Sequence, residues 1–287
     1  MKSYNFVGQT LTVISCCLSA LAISTSAQAA TLTLVDTELS LLVDVSSSID
    51  DNEFDLQKKG YVNTFLNPNL FNDFISKGPL GKIAVNIIYW SNSLQQEEVV
   101  GWTLIDSVAA SQQFANAIDA TTRQFLSVTA PGSAIAFATP KFFNNDFEGT
   151  RQVIDVSGDG AENDGQDTAT VRDIALAQGI DAINGIIVGN DPLVRTFYQE
   201  EILGGINGDG SPAFLIEAAT FEEFNSAIDK KIKAEIKVTP TTVNVTPTPV
   251  KAAPTTVPEA SSMLGLLALG AVSTGSILKR NQKHKES

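Results

Sequence analysis

One apolar run that ends abruptly in polar residues constrains the fold of this chain most. Residues 39–43 read Leu-Ser-Leu-Leu-Val, and they are followed by Asp44 and by three consecutive serines at 46–48. Apolar side chains fill both faces of the run, which predicts a buried central strand in a parallel sheet. Because ligands of open α/β sheets bind beyond the carboxyl ends of such strands, residues 44–48 lie where a site is expected.

The polar residues after this run offer only oxygen ligands. Asp44 supplies a carboxylate, and Ser46 and Ser48 supply hydroxyls at two-residue spacing. Such ligands suit a hard divalent cation, whereas softer metals prefer thiolate or imidazole. The alternative interpretation is a turn that caps the next helix, with Ser48 or Asp50 as N-cap ahead of Glu53.

Two later segments have related features. Residues 151–159 form a second short apolar run that delivers Asp159 next to a glycine, and Ser133 lies in a loop before an apolar, helix-like segment. Along the chain, a carboxylate with two hydroxyls comes first, a single hydroxyl comes next, and an Asp-Gly pair comes last. This order resembles the metal-ion-dependent adhesion site (MIDAS) of von Willebrand factor type A domains. The resemblance spans residues 39–236 and is strongest to a bacterial branch of that family.

The resemblance implies a ligand set and a partner. Ser46 and Ser48 match hydroxyls that bind the metal directly, Asp44 matches the first carboxylate, which often acts through water, and Asp159 matches the late carboxylate. Ser133 falls where the family usually has Thr, which keeps the oxygen but loses the methyl group that restricts the rotamer. Magnesium is the expected ion, with manganese or calcium as alternatives. An Asp or Glu of a partner protein commonly completes the metal's coordination in the family.

The rest of the domain alternates between strand and helix patterns. We therefore predict an α/β fold with a doubly wound, mostly parallel central sheet, one antiparallel edge strand and helices on both faces, similar to von Willebrand A and Rossmann-like folds. Residues 73–81 are predicted to form a loop. The predicted strands are 82–90, 96–104 (antiparallel to the former), 181–188 and 213–217, and the predicted helices are 53–66, 106–121, 133–144, 168–177, 193–203 and 221–236.

Acidic residues are dense between 155 and 167. A calcium loop of the EF-hand type beginning at Asp155 would need a bidentate Glu where Gln166 stands, so this match is poor. Asp155 itself lies inside an apolar strand, and we expect a buried, hydrogen-bonded role for it. Asp164 and Asp167 are candidate caps for the helix that follows.

Composition argues against an enzyme. The only histidine of the chain is His284 and the only cysteines are Cys16 and Cys17, all in terminal segments. The core therefore lacks the base of a Ser-His-Asp triad, a cysteine nucleophile and the imidazole of a typical zinc site. The formal net charge of −13 also argues against nucleic acid and anionic membranes as partners.

The ends of the chain carry targeting patterns. Residues 1–29 have the features of a secretory signal peptide, and we assign 30–238 to the von Willebrand A-like domain. Residues 239–257 are a Thr/Pro-rich linker. Residues 258–287 resemble the PEP-CTERM sorting tail recognised by exosortase, with a short hydrophobic helix as the only expected membrane contact; Ala260 stands where that motif has its second Pro.

The sequence thus predicts an exported module at the cell surface or in an extracellular matrix, which binds a partner carboxylate through a divalent cation. Exosortase is the expected processing protease, and the C-terminal helix could anchor the protein to the membrane. Two alternatives stay open at this point. One is a structural matrix protein whose metal site has degenerated, and the other is a hydrolase that uses a metal-activated water.

Overall fold

The computed structural model describes residues 31–237. The predicted signal peptide at 1–29, the linker at 239–257 and the sorting tail at 258–287 lie outside the described residues, so these boundaries stay predictions. Within 31–237 there is no helix with the length and hydrophobicity needed to cross a bilayer.

A seven-stranded sheet forms the centre of the domain. The strands of the domain are β1 (Thr33–Val35), β2 (Glu38–Asp44), β3 (Ile83–Trp90), β4 (Gln96–Ile105), β5 (Phe147–Gly149), β6 (Gln152–Gly158), β7 (Ala182–Val188), β8 (Gly204–Gly205) and β9 (Leu215–Ala218). The strand order of the central sheet is β4-β3-β2-β6-β7-β8, and β9 also pairs with β7. A separate pair, β1 with β5, is parallel.

Six α-helices cover this sheet within the described part of the chain. They are α1 (Asp51–Leu66), α2 (Val108–Asp119), α3 (Pro131–Ala138), α4 (Thr168–Gln178), α5 (Pro192–Phe197) and α6 (Phe221–Glu235). Short π-helical turns at Leu70–Phe74 and Tyr198–Ile202 and 3-10 turns at Ile75–Lys77 and Thr139–Phe143 complete the helical structure. At the start of α1, Asp50 and Glu53 form a capping box, so Asp50 is the N-cap.

Two hydrophobic cores follow from the alternation of side chains along each strand. Leu41 and Val43 of β2 belong to the core beneath α1, α2 and α6, whereas Leu42 belongs to the core beneath α3, α4 and α5. Successive residues of a strand face opposite sides, so a strand between two helical layers must be apolar on both. This explains why the run at 39–43 does not alternate.

The predicted fold class is confirmed. Strand β2 pairs in parallel with both β3 and β6, and β4 is the antiparallel edge strand. The two-residue β8, also antiparallel to its neighbour, is an addition. Because β2 and β6 are parallel neighbours, their carboxyl ends lie at the same end of the sheet. Asp44 and Asp159 therefore lie at that end.

Two local predictions were wrong. Residues 73–81 are not wholly a loop, because helical turns continue to Lys77. The helix predicted at 133–144 begins at Pro131 and its α-helical part ends at Ala138. Pro140 lacks an N–H group and its ring clashes with the carbonyl four residues earlier, so the chain continues as a 3-10 turn instead.

Candidate metal centre

Asp44 is the last residue of β2 and is completely buried. Its Oδ1 accepts a hydrogen bond of 2.7 Å from the backbone N–H of Ser46, whereas its Oδ2 has no hydrogen-bond partner. Gly158 permits this packing, because a Cβ atom there would lie 2.8 Å from Oδ2. A buried carboxylate oxygen without a partner is costly, so a group that binds it would be stabilising.

Hydroxyl groups from two loops form a chain beside Asp44. The Oγ atoms of Ser46 and Ser48 lie 3.1 Å apart, and the Ser48 hydroxyl donates to Asp159 Oδ1 at 2.7 Å. At the other end of the chain, the Thr129 hydroxyl donates to Ser46 Oγ at 3.4 Å. The structure therefore brings together four of the five residues predicted as ligands, and it adds Thr129.

Ser133, the fifth residue predicted as a ligand, has a different environment. It lies in the first turn of α3, and its hydroxyl accepts a hydrogen bond of 3.2 Å from the backbone N–H of Gln166. Thr129 was not predicted, because Ser133 directly precedes the apolar, helix-like segment and was taken as the middle hydroxyl. The available signal was that the resemblance implies a Thr in this loop, and Thr129 lies only two residues before Pro131.

Arg123 holds in place the loop that follows β2 and carries Ser46, Ser47 and Ser48, here named the serine loop. One of its terminal nitrogens, Nη2, donates to the backbone carbonyls of Val45, Ser46 and Ile49 at 3.0, 2.5 and 2.6 Å. Its Nε also donates to the carbonyl of Phe125 at 3.2 Å. The planar guanidinium group suits several acceptors in a fixed arrangement. No sequence motif marks this arginine, and sequence reasoning did not find it.

The segment from 127 to 129 connects the loops of the centre. The carbonyl of Ser127 accepts a 2.7 Å hydrogen bond from the N–H of Ser47 in the serine loop. On the other side, the N–H of Thr129 donates to Asn163 Oδ1, and the N–H of Asn163 donates to the Thr129 carbonyl. The Thr129 hydroxyl is thus positioned by hydrogen bonds to both flanking loops.

Burial disfavours ionisation of both carboxyl groups. Burial and, to a smaller extent, the negative charge of Asp159 raise the pKa of Asp44 to about 7, against the opposing effects of hydrogen bonds from Ser46 and the charge of Arg123. Burial likewise raises the pKa of Asp159, and the hydrogen bond from Ser48 opposes it. The charge of Arg123 offsets these shifts only in part, and a nearby metal cation would favour the ionised forms further.

The donor set fits a hard divalent cation. Within residues 31–237, no group of three or more His, Cys, Asp or Glu side chains is placed to hold a metal. A cation at this centre would therefore be held by the two carboxylates together with the hydroxyls of Ser46, Ser48 and Thr129. Oxygen ligands of this kind match magnesium, manganese or calcium.

Asp155 is buried as expected but lies outside this centre. It is on β6, and its carboxylate lies 2.7 Å from Nζ of Lys231 on α6, which also contacts Glu235. All three side chains are completely buried. Of the other acidic residues of this region, Asp167 caps α4, whereas Asp164 accepts a hydrogen bond from the N–H of Ser93. Asp155, Asp164 and Asp167 therefore have separate structural contacts outside the candidate centre.

Comparison with solved structures agrees with this architecture. Proximal thread matrix protein 1 from the mussel byssus is similar, with a TM-score of 0.53 and 18% identity over 73% of this chain and 48% of that one. A second structure of the mussel protein is described as having a zinc-occupied MIDAS motif. It gives a TM-score of 0.52 and 17% identity over 73% of this chain and 47% of that one. This chain thus spans about half the length of the mussel protein. A von Willebrand factor type A protein from Catenulispora acidiphila is also similar, with a TM-score of 0.47 and 11% identity over 70% of this chain and 43% of that one.

The chain therefore has the same α/β fold as the mussel matrix protein, with a candidate centre at the carboxyl ends of β2 and β6. It belongs to the family described as Protein of unknown function (DUF1194), whose model matches residues 34–240. No curated protein matches significantly.

Proposed function

We propose that this protein is an exported adhesion or matrix module that binds a carboxylate of a partner protein through a divalent cation. Magnesium is the preferred ion in this proposal. The observation that carries it is the chain of hydroxyls from Thr129 through Ser46 and Ser48 to Asp159. This chain adjoins Asp44, whose Oδ1 accepts from the N–H of Ser46 and whose buried Oδ2 has no partner. The mussel protein, a matrix protein with a zinc-occupied MIDAS motif, supports the same class of role.

The proposed ligands are Asp44, Ser46, Ser48, Thr129 and Asp159. The two carboxylates together balance the charge of a divalent cation, and the three hydroxyls are neutral, weak donors, so the ion would still accept a further oxygen ligand. A carboxylate from a partner would then complete its coordination. Processing of the C-terminal tail by an exosortase-type protease remains part of the proposal and rests on the sequence alone.

The test is metal-dependent stabilisation of the full-length protein. After treatment with a chelator, thermal unfolding is measured during titration with magnesium, manganese and calcium. At a concentration one hundred times the dissociation constant, a bound ion adds about 2.7 kcal/mol to the free energy of unfolding. We expect this stabilisation in the wild type and its loss in Asp44→Asn and Asp159→Asn.

Asp146→Asn provides the matched control, because Asp146 is an exposed aspartate outside the centre. This variant should respond to metal as the wild type does. If no ion stabilises the wild type, the metal-dependent function is wrong, and the structural matrix role without metal becomes the leading hypothesis. A metal-dependent hydrolase would instead require hydrolytic activity that Asp159→Asn abolishes.

A further inference from the structure

Two loops beside the candidate centre expose aliphatic side chains. Leu94, in the turn between β3 and β4, is 91% exposed, and Leu126 and Val128, in the loop before α3, are 67% and 44% exposed. We name these three residues the aliphatic rim. Single exposed hydrophobic residues are common on protein surfaces, so the argument depends on where these three lie.

Hydrogen bonds attach the rim to the metal centre. Val128 lies between Ser127, whose carbonyl binds the N–H of Ser47, and Thr129, whose hydroxyl contacts Ser46. Both neighbours of Val128 thus contact the serine loop, and Leu126 is two residues earlier on the same segment. The rim and the hydroxyl chain therefore belong to one surface.

The turn that carries Leu94 is attached to the same segment. The hydroxyl of Ser91 donates to the carbonyl of Val128 at 3.0 Å, and Asn92 Nδ2 donates to the Ser127 hydroxyl at 3.1 Å. Asn92 Oδ1 in turn accepts from the N–H of Leu94 at 2.9 Å. These bonds hold the exposed leucine in a defined turn, which lowers the entropic cost of using it as a contact.

We propose that the partner recognised by this surface is a protein segment in which a Glu or Asp is flanked by aliphatic side chains. This inference rests on the proposed function, because the acidic residue would bind the cation. The flanking side chains would then cover the aliphatic rim and remove both apolar surfaces from water. The cation alone would bind the carboxylates of different partners equally well. The rim would therefore favour those partners whose carboxylate is flanked by aliphatic side chains.

The chemistry of the rim favours protein over an acidic polysaccharide. A uronic acid also presents a carboxylate, but its ring carries hydroxyl groups that gain little from contact with Leu and Val. Sugar rings are more often held by aromatic faces, and in residues 31–237 the exposed large hydrophobic side chains include no aromatic residue.

The experiment uses full-length protein saturated with magnesium and peptides displayed in many copies on a surface, so that weak binding is measurable. The probes are Gly-Leu-Glu-Leu-Gly, Gly-Ser-Glu-Ser-Gly and Gly-Leu-Gln-Leu-Gly, together with an oligogalacturonate. We expect the Leu-flanked Glu peptide to bind about tenfold more tightly than the Ser-flanked one. Partial burial of the leucine side chains against the rim would supply the binding free energy for this difference. Leu126→Ser with Val128→Ser should abolish this difference, whereas Leu34→Ser, at an exposed leucine on β1, should preserve it.

Metal binding is measured separately for every variant and should not change. Equal binding of the two Glu peptides by the metal-loaded wild type would overturn the role of the rim and leave the carboxylate function intact. Tighter binding of oligogalacturonate than of either Glu peptide would overturn the assignment to a protein partner. Failure to bind magnesium, or binding of the Gln peptide as tightly as the Glu peptide, would overturn the proposed function itself.

Discussion

Thr129 and Ser133 lie four residues apart, and their hydroxyls have different neighbours. Thr129 contacts Ser46 of the serine loop, whereas Ser133 accepts a hydrogen bond from the N–H of Gln166. A Cβ atom at Gly165 would lie 2.5 Å from the Ser133 Oγ, so the chain packs closely against this hydroxyl. At the residue scale, the two hydroxyls therefore have different proposed roles, as a metal ligand and as a local structural contact.

Substitution of each residue separates these roles. Thr129→Val keeps the shape of the side chain but removes the hydroxyl, and we expect it to weaken magnesium binding about tenfold or more, as loss of one polar interaction of about 1–3 kcal/mol implies. Ser133→Ala should change binding by less than about threefold, while lowering the free energy of unfolding by about 1 kcal/mol through the lost hydrogen bond. Isothermal titration calorimetry and urea unfolding provide the two measurements. The opposite pattern, with binding lost only in Ser133→Ala, would restore Ser133 as the ligand.

The residues of the centre differ in how well the sequence reveals them. Asp44, Ser46 and Ser48 lie close together in the sequence at the end of one strand, and Asp159 follows a second strand. Because parallel strands end at the same side of the sheet, the sequence predicts that all four lie close together. Arg123 could not be found in this way, because its role depends on where three carbonyls of a distant loop point. Spacing in the sequence carries no information about such carbonyl directions.

The contact between α6 and the sheet includes a buried ionic cluster. Lys231 lies between the carboxylate of Asp155 on β6 and that of Glu235 on its own helix, and none of the three is exposed. Burial and the nearby charge of Asp155 raise the pKa of Glu235 to about 8, against the opposing effect of Lys231. At the scale of the element, this cluster fixes α6 against β6.

Replacement of Lys231 tests this interaction. Lys231→Met would leave the Asp155 carboxylate buried without its counter-ion, and loss of one partner of a buried pair costs about 3–5 kcal/mol. We expect a decrease of this size in the free energy of unfolding, measured by urea denaturation at pH 7. Lys230→Met is the matched control, because the neighbouring Lys230 is exposed, and its stability should stay within about 0.5 kcal/mol of the wild type. Equal stability of the two variants would show that the cluster contributes nothing to the fixing of α6.

Periodicity predicts elements better than it predicts their ends. The apolar runs of β2, β3 and β7 and the amphipathic pattern of α6 are strong local signals, because each element buries a face defined by its own repeat. The short β8 has no such signal, since two glycines cannot carry a pattern of side chains. Its pairing with β7 depends on the tertiary course of the chain.

The molecule as a whole carries several carboxyl groups whose pKa values are raised by burial. They are Glu38, Asp44, Asp155, Asp159 and Glu235. A carboxyl group with a raised pKa binds more protons in the folded state than in the unfolded state. Between the unfolded and folded pKa values, the free energy of unfolding therefore decreases as the pH rises.

We accordingly expect the metal-free protein to be most stable at mildly acidic pH. Its free energy of unfolding should fall as the pH rises from about 4 through the pKa of Asp44 at about 7 and that of Glu235 at about 8. Urea denaturation in the presence of a chelator between pH 5 and 8.5 measures this decrease. In Asp44→Asn the decrease should be smaller, because one of the contributing groups is absent. A metal-free stability that rises throughout this range would contradict the burial of ionisable carboxyl groups.

The sequence separation within the candidate centre has a consequence for the order of folding. Ser48 and Asp159 are 111 residues apart in the chain, and they meet only when β6 has paired with β2. The pairing of β2 with β3 joins residues much closer in sequence, so it costs less loop-closure entropy and is expected earlier. A chain still emerging from the ribosome or crossing a membrane would thus lack the late carboxylate of the centre. Under the proposed function, cation binding would then be one of the last events of folding, and it would stabilise only molecules whose central sheet is already complete.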